Sequence, residues 1–345
     1  MRPCAVFRCD ANPTIGGGHV MRCLTLAEVL ANSGWEFYFA CGAESVVTVP
    51  ALAKHQPVII GGSVESEPAQ IAAAIGRPVD WLLVDHYQRG AAFETACRAW
   101  ASRVLAIDDL ADRLHDCDLL LDQTVGRCKE DYAALVPADC RLLLGTKYAL
   151  LRPQFAARRE ESIRRRSTLR PAQRLLMSFG MTDPHGIARR VLKTLLAYPE
   201  RIDIDVVAGT NPDEALVHLA SDCSGRVTLH GVVEDMASLM LAADLAVGLV
   251  GSTAWERCAL GLPSVVVISA ANQGLIAGRL AAAGVHTVLG EMAGLDDGIA
   301  AVKILDLARN PERLARMSQS AFAVCDGEGG KRVASKIVSS IPIPA

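Results

Sequence analysis

At 345 residues the chain is long for one hydrophobic core, and length alone favours two domains. Hydrophobic residues make up 51% and charged residues 21%, which excludes a disordered chain. The net charge of −3 excludes the basic balance of a nucleic-acid binder, so an anionic ligand must be held by local devices.

Short aliphatic runs alternate with Ala/Leu-rich helical stretches, the pattern of parallel sheets wrapped by helices. In the first half the expected strands are Ala5–Arg8, Glu36–Ala40, Val58–Ile60, Trp81–Val84, Val104–Ile107, Leu119–Leu121 and Arg141–Leu144, with helices such as Val20–Asn32 and Ala91–Ala101. In the second half they are Arg174–Phe179, Ile204–Ala208, Val227–Leu229, Leu245–Val247, Ser264–Ile268 and His286–Leu289. Helices there include Gly186–Ala197, Met236–Ala243, Ala254–Leu260, Gly274–Ala283 and a stretch from about Pro311. Two Rossmann-like domains are expected over 1–155 and 173–345, with the last helix free to pack back on the first. The arginine-rich 156–172 between them reads as a solvated linker helix rather than a basic ligand patch.

No apolar run reaches the roughly 18 residues of a membrane span. The N-terminus enters a strand-like segment without the apolar stretch of a secretory signal, so a cytoplasmic location is expected. The eleven cysteines are odd in number, irregularly spaced and lack a CxxC pair. They are expected as reduced, mostly buried thiols, with no metal site.

In open parallel sheets ligands bind beyond the carboxyl ends of the strands, and polar residues collect there repeatedly in this chain. Asp10 and Gly16-Gly17-Gly18-His19 follow the first strand, and Asp85-His86-Tyr87 closes the fourth. Asp108-Asp109 and Asp122-Gln123 end the next two. In the second half the ends carry Gly180-Met181, Gly251-Ser252-Thr253-Ala254-Trp255-Glu256 and Asn272-Gln273.

The glycine loop is not a dinucleotide fingerprint, because Met21 takes the third glycine position and no acidic residue closes the next strand; nor is it a P-loop. It sets His19 at a helix start, where the dipole favours a neutral imidazole fit to act as a base; a merely local hydrogen-bonding role is the alternative. Gly251-Ser252-Thr253 before a helix suits an anion, with Glu256 placed to accept from a ribose diol. Equally, Ser252 or Thr253 could simply cap that helix. Asp108 and Asp109 could look like a metal or acid/base pair, but Asp109 is expected to cap the turn after its strand, which makes the two structural. His55, His115, His185, His218, His230 and His286 show no ligand-like spacing.

Taken in order, these segments resemble the UDP-2,4-diacetamido-2,4,6-trideoxy-β-L-altropyranose hydrolases of pseudaminic acid biosynthesis, nearly end to end. The resemblance rests on Gly16-Gly17-Gly18-His19-Val20-Met21-Arg22-Cys23, Val84-Asp85-His86-Tyr87, Ile107-Asp108-Asp109-Leu110, Leu121-Asp122-Gln123 and Leu150-Leu151-Arg152-Pro153-Gln154-Phe155. Ser178-Phe179-Gly180 with Asp183-Pro184, then Gly251 to Cys258, Leu262-Pro263, Asn272-Gln273, and Asp326-Gly327 with Arg332-Val333 complete it.

The resemblance implies a GT-B fold, in which two Rossmann-like domains face their parallel sheets across a cleft. It implies that the C-terminal domain holds UDP while water attacks the anomeric carbon with inversion, breaking the C–O bond without metal or other cofactor. His19 would be the catalytic base. Asp10, Gly16, Gly17, Gly18, Arg22, Tyr87, Gly180, Met181, Gly251, Ser252, Thr253, Glu256, Asn272 and Gln273 would bind substrate or UDP. The partners implied are a UDP-sugar and water, with no nucleic acid and no membrane, for a monomer whose product feeds a nonulosonic acid of flagellin or another surface structure. Two positions depart from the pattern: Met181 and Val250 stand where glycine or another small residue is usual. The competing expectations are a transferase of the same architecture using another acceptor, a nucleotide-sugar binder without turnover and, more distantly, a nicotinamide dehydrogenase.

Overall fold

The computed structural model describes residues 2–180, 183, 185–209, 212–269 and 273–340. They divide into two compact units, one holding the chain up to Arg152 and resuming at Glu328, the other running from Pro153 to Gly327.

The first unit contains β1 (Cys4–Cys9), α1 (Gly18–Ala31), β2 (Glu36–Cys41), α2 (Glu44–Thr48), β3 (Val58–Ile59), α3 (Glu67–Ile75), β4 (Val79–Asp85), α4 (Ala91–Cys97), β5 (Ala101–Ile107), β6 (Leu119–Asp122) and β7 (Arg141–Leu144). The second contains α5 (Pro153–Arg166), β8 (Arg174–Ser178), α6 (Ile187–Leu196), β9 (Asp203–Val207), α7 (Glu214–Asp222), β10 (Val227–His230), α8 (Met236–Ala242), β11 (Leu245–Leu249), α9 (Ser252–Ala259), β12 (Ser264–Ile268), α10 (Gln273–Ala282), β13 (His286–Glu291), α11 (Asp297–Ala308) and α12 (Pro311–Val324). The last helix, α13 (Gly329–Val338), returns to the first unit.

The first sheet has the order β3-β2-β1-β4-β5-β6-β7 and the second β10-β9-β8-β11-β12-β13. Every pairing in both is parallel. A parallel sheet covered on both faces needs strands that are apolar throughout, which is why Trp81-Leu82-Leu83-Val84 and Leu119-Leu120-Leu121 are buried without alternation. Each strand falls where its aliphatic run placed it. The helix expected over Ala91–Ala101 instead stops at Cys97, because Ala101 pairs with Val79 and opens β5. In each sheet the winding reverses beside the first strand, between β1 and β4 and between β8 and β11. Loops leaving the carboxyl ends of those strands diverge there and open a crevice.

The arginine-rich segment after Arg152 is drier than its composition suggests. Phe155 and Ser162 of α5 are buried. Arg159 donates to the carbonyls of Ala259, Phe322 and Cys325, and Arg165 and Arg166 donate to those of Ala242 and Met240. These lie at or just past the ends of α8, α9 and α12, where carbonyls lack intrahelical donors and the helix dipole is negative. The cations are thus consumed inside the second unit. On α13, Gly329 lies so close to the 148–149 backbone that a Cβ there would stand 2.2 Å from the Ala149 carbonyl oxygen.

Candidate functional site

The crevice of the first unit is built from the loops after β1 and β4. Asn12 folds the first loop by accepting from the Thr14 and Ile15 amides at 2.9 Å each, and Gly16 closes it with φ at 75°. Gly17 is the N-cap of α1 and Gly18 its first residue, so His19 enters on the first turn with its ring almost wholly buried. Its Nδ1 lies 2.6 Å from Oδ1 of Asp85, the last residue of β4.

Asp85 has no exposure at all and receives three nitrogens. Besides His19, the Arg22 guanidinium grips it with Nε at 2.5 Å and Nη2 at 2.6 Å. Burial by itself would raise the Asp85 carboxyl, but Arg22 and His19 outweigh it and hold the group well below the usual carboxylate range. An ionised carboxylate only accepts, so the imidazole proton sits on Nδ1 and Nε2 is left as the acceptor. Tyr87 packs edge-on against the ring, centroids 4.7 Å apart at 88°. Arg22 also reaches Asp109 at 3.3 Å.

Several expected residues are therefore engaged inward. Arg22 braces Asp85. Asp10 forms an ion pair with the fully buried Arg8 at 2.9 Å, meets His86 Nε2 at 3.1 Å and accepts the Gly42 amide at 2.7 Å. Burial would raise the Asp10 carboxyl too, but His86 and Arg8 more than offset it and its pKa is lowered. Arg8 and Arg89 clamp Glu67 of α3 on the other side. The Asp108 and Asp109 expectation is corrected: Asp108, not Asp109, caps the turn, accepting the Ala111 amide at 2.8 Å. Asp109 sits one residue on and turns back toward Arg22.

In the second unit α9 starts at Ser252, two residues earlier than expected, with Gly251 as N-cap and no side-chain cap. Ser252 and Thr253 thus sit inside the first turn, half-buried, rather than capping it. Glu256 is half-buried one turn on. Gly180 follows β8 with φ at 95°. The Gln273 carboxamide oxygen accepts from the Ser269 amide at 3.0 Å and its hydroxyl at 3.1 Å, fixing the exit of β12. Met181 and Asn272 lie outside the described residues.

In the second turn of α9, Arg257 is 2% exposed and donates to the Leu249 carbonyl at 2.8 Å. The adjoining Gly248 admits no side chain, since a Cβ there would lie 2.2 Å from the Ser178 carbonyl and 3.3 Å from Arg257 Nη1. His286, also buried, contacts the Ala277 carbonyl at 2.9 Å, and burial reinforced by the Arg257 charge pushes its pKa down to about 4. A histidine whose folded pKa is depressed contributes stability above its unfolded value of about 6.5, and loses it as pH falls toward 4. We expect roughly 3 kcal/mol of stability to disappear across that window. A His286→Gln variant should flatten the slope in urea unfolding at successive pH values; an unchanged slope would rule His286 out as its source.

Sequence placed Asp85 at the end of a strand, as a residue that could hold or polarise substrate, but not against His19, and it gave Arg257 no role. The pairing of Asp85 with His19 spans 66 residues. The one local signal was Arg22 three residues after His19, on the same helical face. Among the described residues no three His, Cys, Asp or Glu side chains group as a metal site would require.

No family model matches the chain. It is 31% identical over 127 residues to the uncharacterized protein MJ1062 of Methanocaldococcus jannaschii, covering 36% of this chain and 26% of that one. It is 29% identical over 161 residues to the UDP-2,4-diacetamido-2,4,6-trideoxy-beta-L-altropyranose hydrolase of Campylobacter jejuni, covering 46% and 55%. It is 25% identical over 158 residues to the spore coat polysaccharide biosynthesis protein SpsG of Bacillus subtilis, covering 45% of each. The chain thus spans about half, or less, of the length of the curated relatives it matches. The names at 29% and 25% identity support the family resemblance carried by the motifs. Among solved structures, MurG of Acinetobacter baumannii aligns over 98% of this chain and 100% of its own with a TM-score of 0.69 at 16% identity. S. aureus MnaA with UDP aligns over 99% of each chain with a TM-score of 0.60 at 14% identity. These likenesses bear on the fold, and with two doubly wound parallel sheets they identify it as GT-B, as expected from the motifs.

Proposed function

We propose that this chain hydrolyses a UDP-linked 2,4-diacetamido-2,4,6-trideoxy sugar, of the β-L-altro form, to UDP and the free sugar. The observation that carries the reading is the 2.6 Å contact of His19 Nδ1 with the buried Asp85, which leaves Nε2 as a proton acceptor. Attack at an anomeric carbon passes through an oxocarbenium-like state, so it needs a base for water on one face and reception of the departing charge on the other. In this reading water oxygen bonds to the anomeric carbon as its proton passes to His19 Nε2. The carbon–oxygen bond to UDP breaks with inversion, and its electron pair leaves with the diphosphate. The first turn of α9 receives that charge through its amides and the Ser252 and Thr253 hydroxyls, and Glu256 holds the ribose. Relatives named for a UDP-sugar hydrolase and for polysaccharide biosynthesis support the substrate class.

The test is mass spectrometry of products formed from candidate UDP-diacetamido sugars in H₂¹⁸O. The expected outcome is free sugar released with no other acceptor present and the label on the sugar. Label on UDP would place the attack at phosphorus and overturn the mechanism, and dependence on an added acceptor would make the chain a transferase.

A further inference from the structure

Arg257 is an unusual residue to bury. At 2% exposure it has no carboxylate within ion-pair distance among the described residues, and its Nε has no hydrogen-bond partner. Among the described residues its one hydrogen bond runs from Nη2 to the carbonyl of Leu249. The nearby His286 is kept neutral, so it offers no compensation. Glu256 attracts it without forming an ion pair, and a buried cation so thinly compensated is strongly unfavourable unless something else supplies more opposite charge.

Its position suggests what that is. Side chains on a helix lean toward its N-terminus, and Arg257 lies in the second turn of α9. Its guanidinium accordingly reaches back to Leu249 and Gly248, directly before Val250, Gly251 and the first turn. The missing Cβ of Gly248 is what leaves room for Nη1. The cation therefore lies at the Gly248-Leu249 end of β11, on the approach to the turn that opens α9, where it adds a full charge to the partial charge of the helix end.

We infer that Arg257 is the cation that receives a diphosphate bound at the first turn of α9, acting from the β11 side of the Gly251-Ser252-Thr253 turn. Its charge complements the anion through the turn rather than by contact, which makes it a positioning and charge-supplying residue. Burial drives its own pKa down to about 10, still far above neutrality, so the charge persists under working conditions. The inference rests on the nucleotide reading of this unit and names the charge that reading requires.

Calorimetry with UDP and with uridine separates charge from shape. For Arg257→Gln, UDP affinity is expected to fall tenfold or more while uridine affinity stays within about twofold. For Arg257→Lys, which keeps the charge, the UDP-to-uridine affinity ratio is expected within about threefold of the wild type. Equal loss for both ligands in Arg257→Gln, or no loss for UDP, would overturn the inference. If Arg257→Gln does not fold, a tenfold fall in that ratio for a folded Arg257→Lys would overturn it equally. Wild-type protein that binds neither UDP nor pyrophosphate would remove the nucleotide reading itself. UDP binding that survives the loss of the cation removes only the role of Arg257.

Discussion

Asp85→Asn is expected to lower kcat on the UDP-sugar by about 10⁴, the scale of loss when a catalytic histidine is forced into the wrong tautomer. Three nitrogen donors converge on Asp85, His19 Nδ1 and the Nε and Nη2 of Arg22, beside a weaker one from the Cys23 thiol. A carboxylate accepts all three, whereas a carboxamide must present its N–H₂ either to Arg22 Nε or to the His19 Nδ1 and Arg22 Nη2 that share Oδ1. Turned toward His19, it needs an acceptor at Nδ1, and the ring proton moves to Nε2, where the base must be empty. His19→Ala is expected to cost as much, because it removes the base outright. The double variant should then be no slower than either single one, since residues that act as a unit do not lose additively. UDP affinity should stay within about twofold in all three, as Asp85 and His19 belong to the first unit and the α9 turn to the second. Steady-state rates with calorimetric UDP titrations check this. Multiplying losses in the double variant would show that Asp85 acts independently of His19. A His19→Ala enzyme that still turns over would remove the base altogether.

A second large effect concerns stability. Gly329→Ala should destabilise the first unit by about 3 kcal/mol, near the upper end for overpacking. The added methyl would run into the 148–149 backbone, with the Ala149 oxygen at 2.2 Å, the Tyr148 carbonyl carbon at 2.4 Å and the Ala149 nitrogen at 2.5 Å. Backbone held by its own hydrogen bonds cannot swing aside as a side-chain tip can, so α13 must shift on its seat. The buried residues Val333, Ala334 and Ile337 would shift with it. A fall in Tm of roughly 6–12 °C follows for a unit of this size. Gly278→Ala is the control: it is in a helix, a Cβ there meets nothing within 4 Å, and alanine should be neutral or stabilising. Equal Tm values for the two variants would show that the α13 seat is softer than its geometry.

How much of this could be read from the chain depends on the range of the interaction. Strands such as Leu119–Asp122 were legible because a doubly covered parallel strand must be aliphatic throughout, and that is a local property. The end of α4 was not, because Arg98-Ala99-Trp100 has ordinary helical composition and only pairing with Val79 pulls Ala101 into the sheet. His19 was visible from the glycine loop and the helix that follows. Its carboxylate partner was visible only as an acidic residue closing a strand, with nothing to say which of several it was. The exchange of roles between Asp108 and Asp109 has the same origin: two adjacent acids look alike until a distant arginine selects one. Arg257 was hidden for a different reason. Arginine is so rarely buried without a partner that sequence offers no ground to expect it.

The first unit is interrupted in the chain, closed only when α13 arrives after the whole of the second. On a ribosome moving from the N-terminus, the later-encoded lobe is therefore the first to have all its residues available. The earlier one must wait with the seat of α13, around Thr25, Val29 and Leu151, uncovered until the residues after Gly327 are made. A nascent chain stalled at Gly327 would carry one finished lobe and one with an open apolar flank, the kind of surface that chaperones bind.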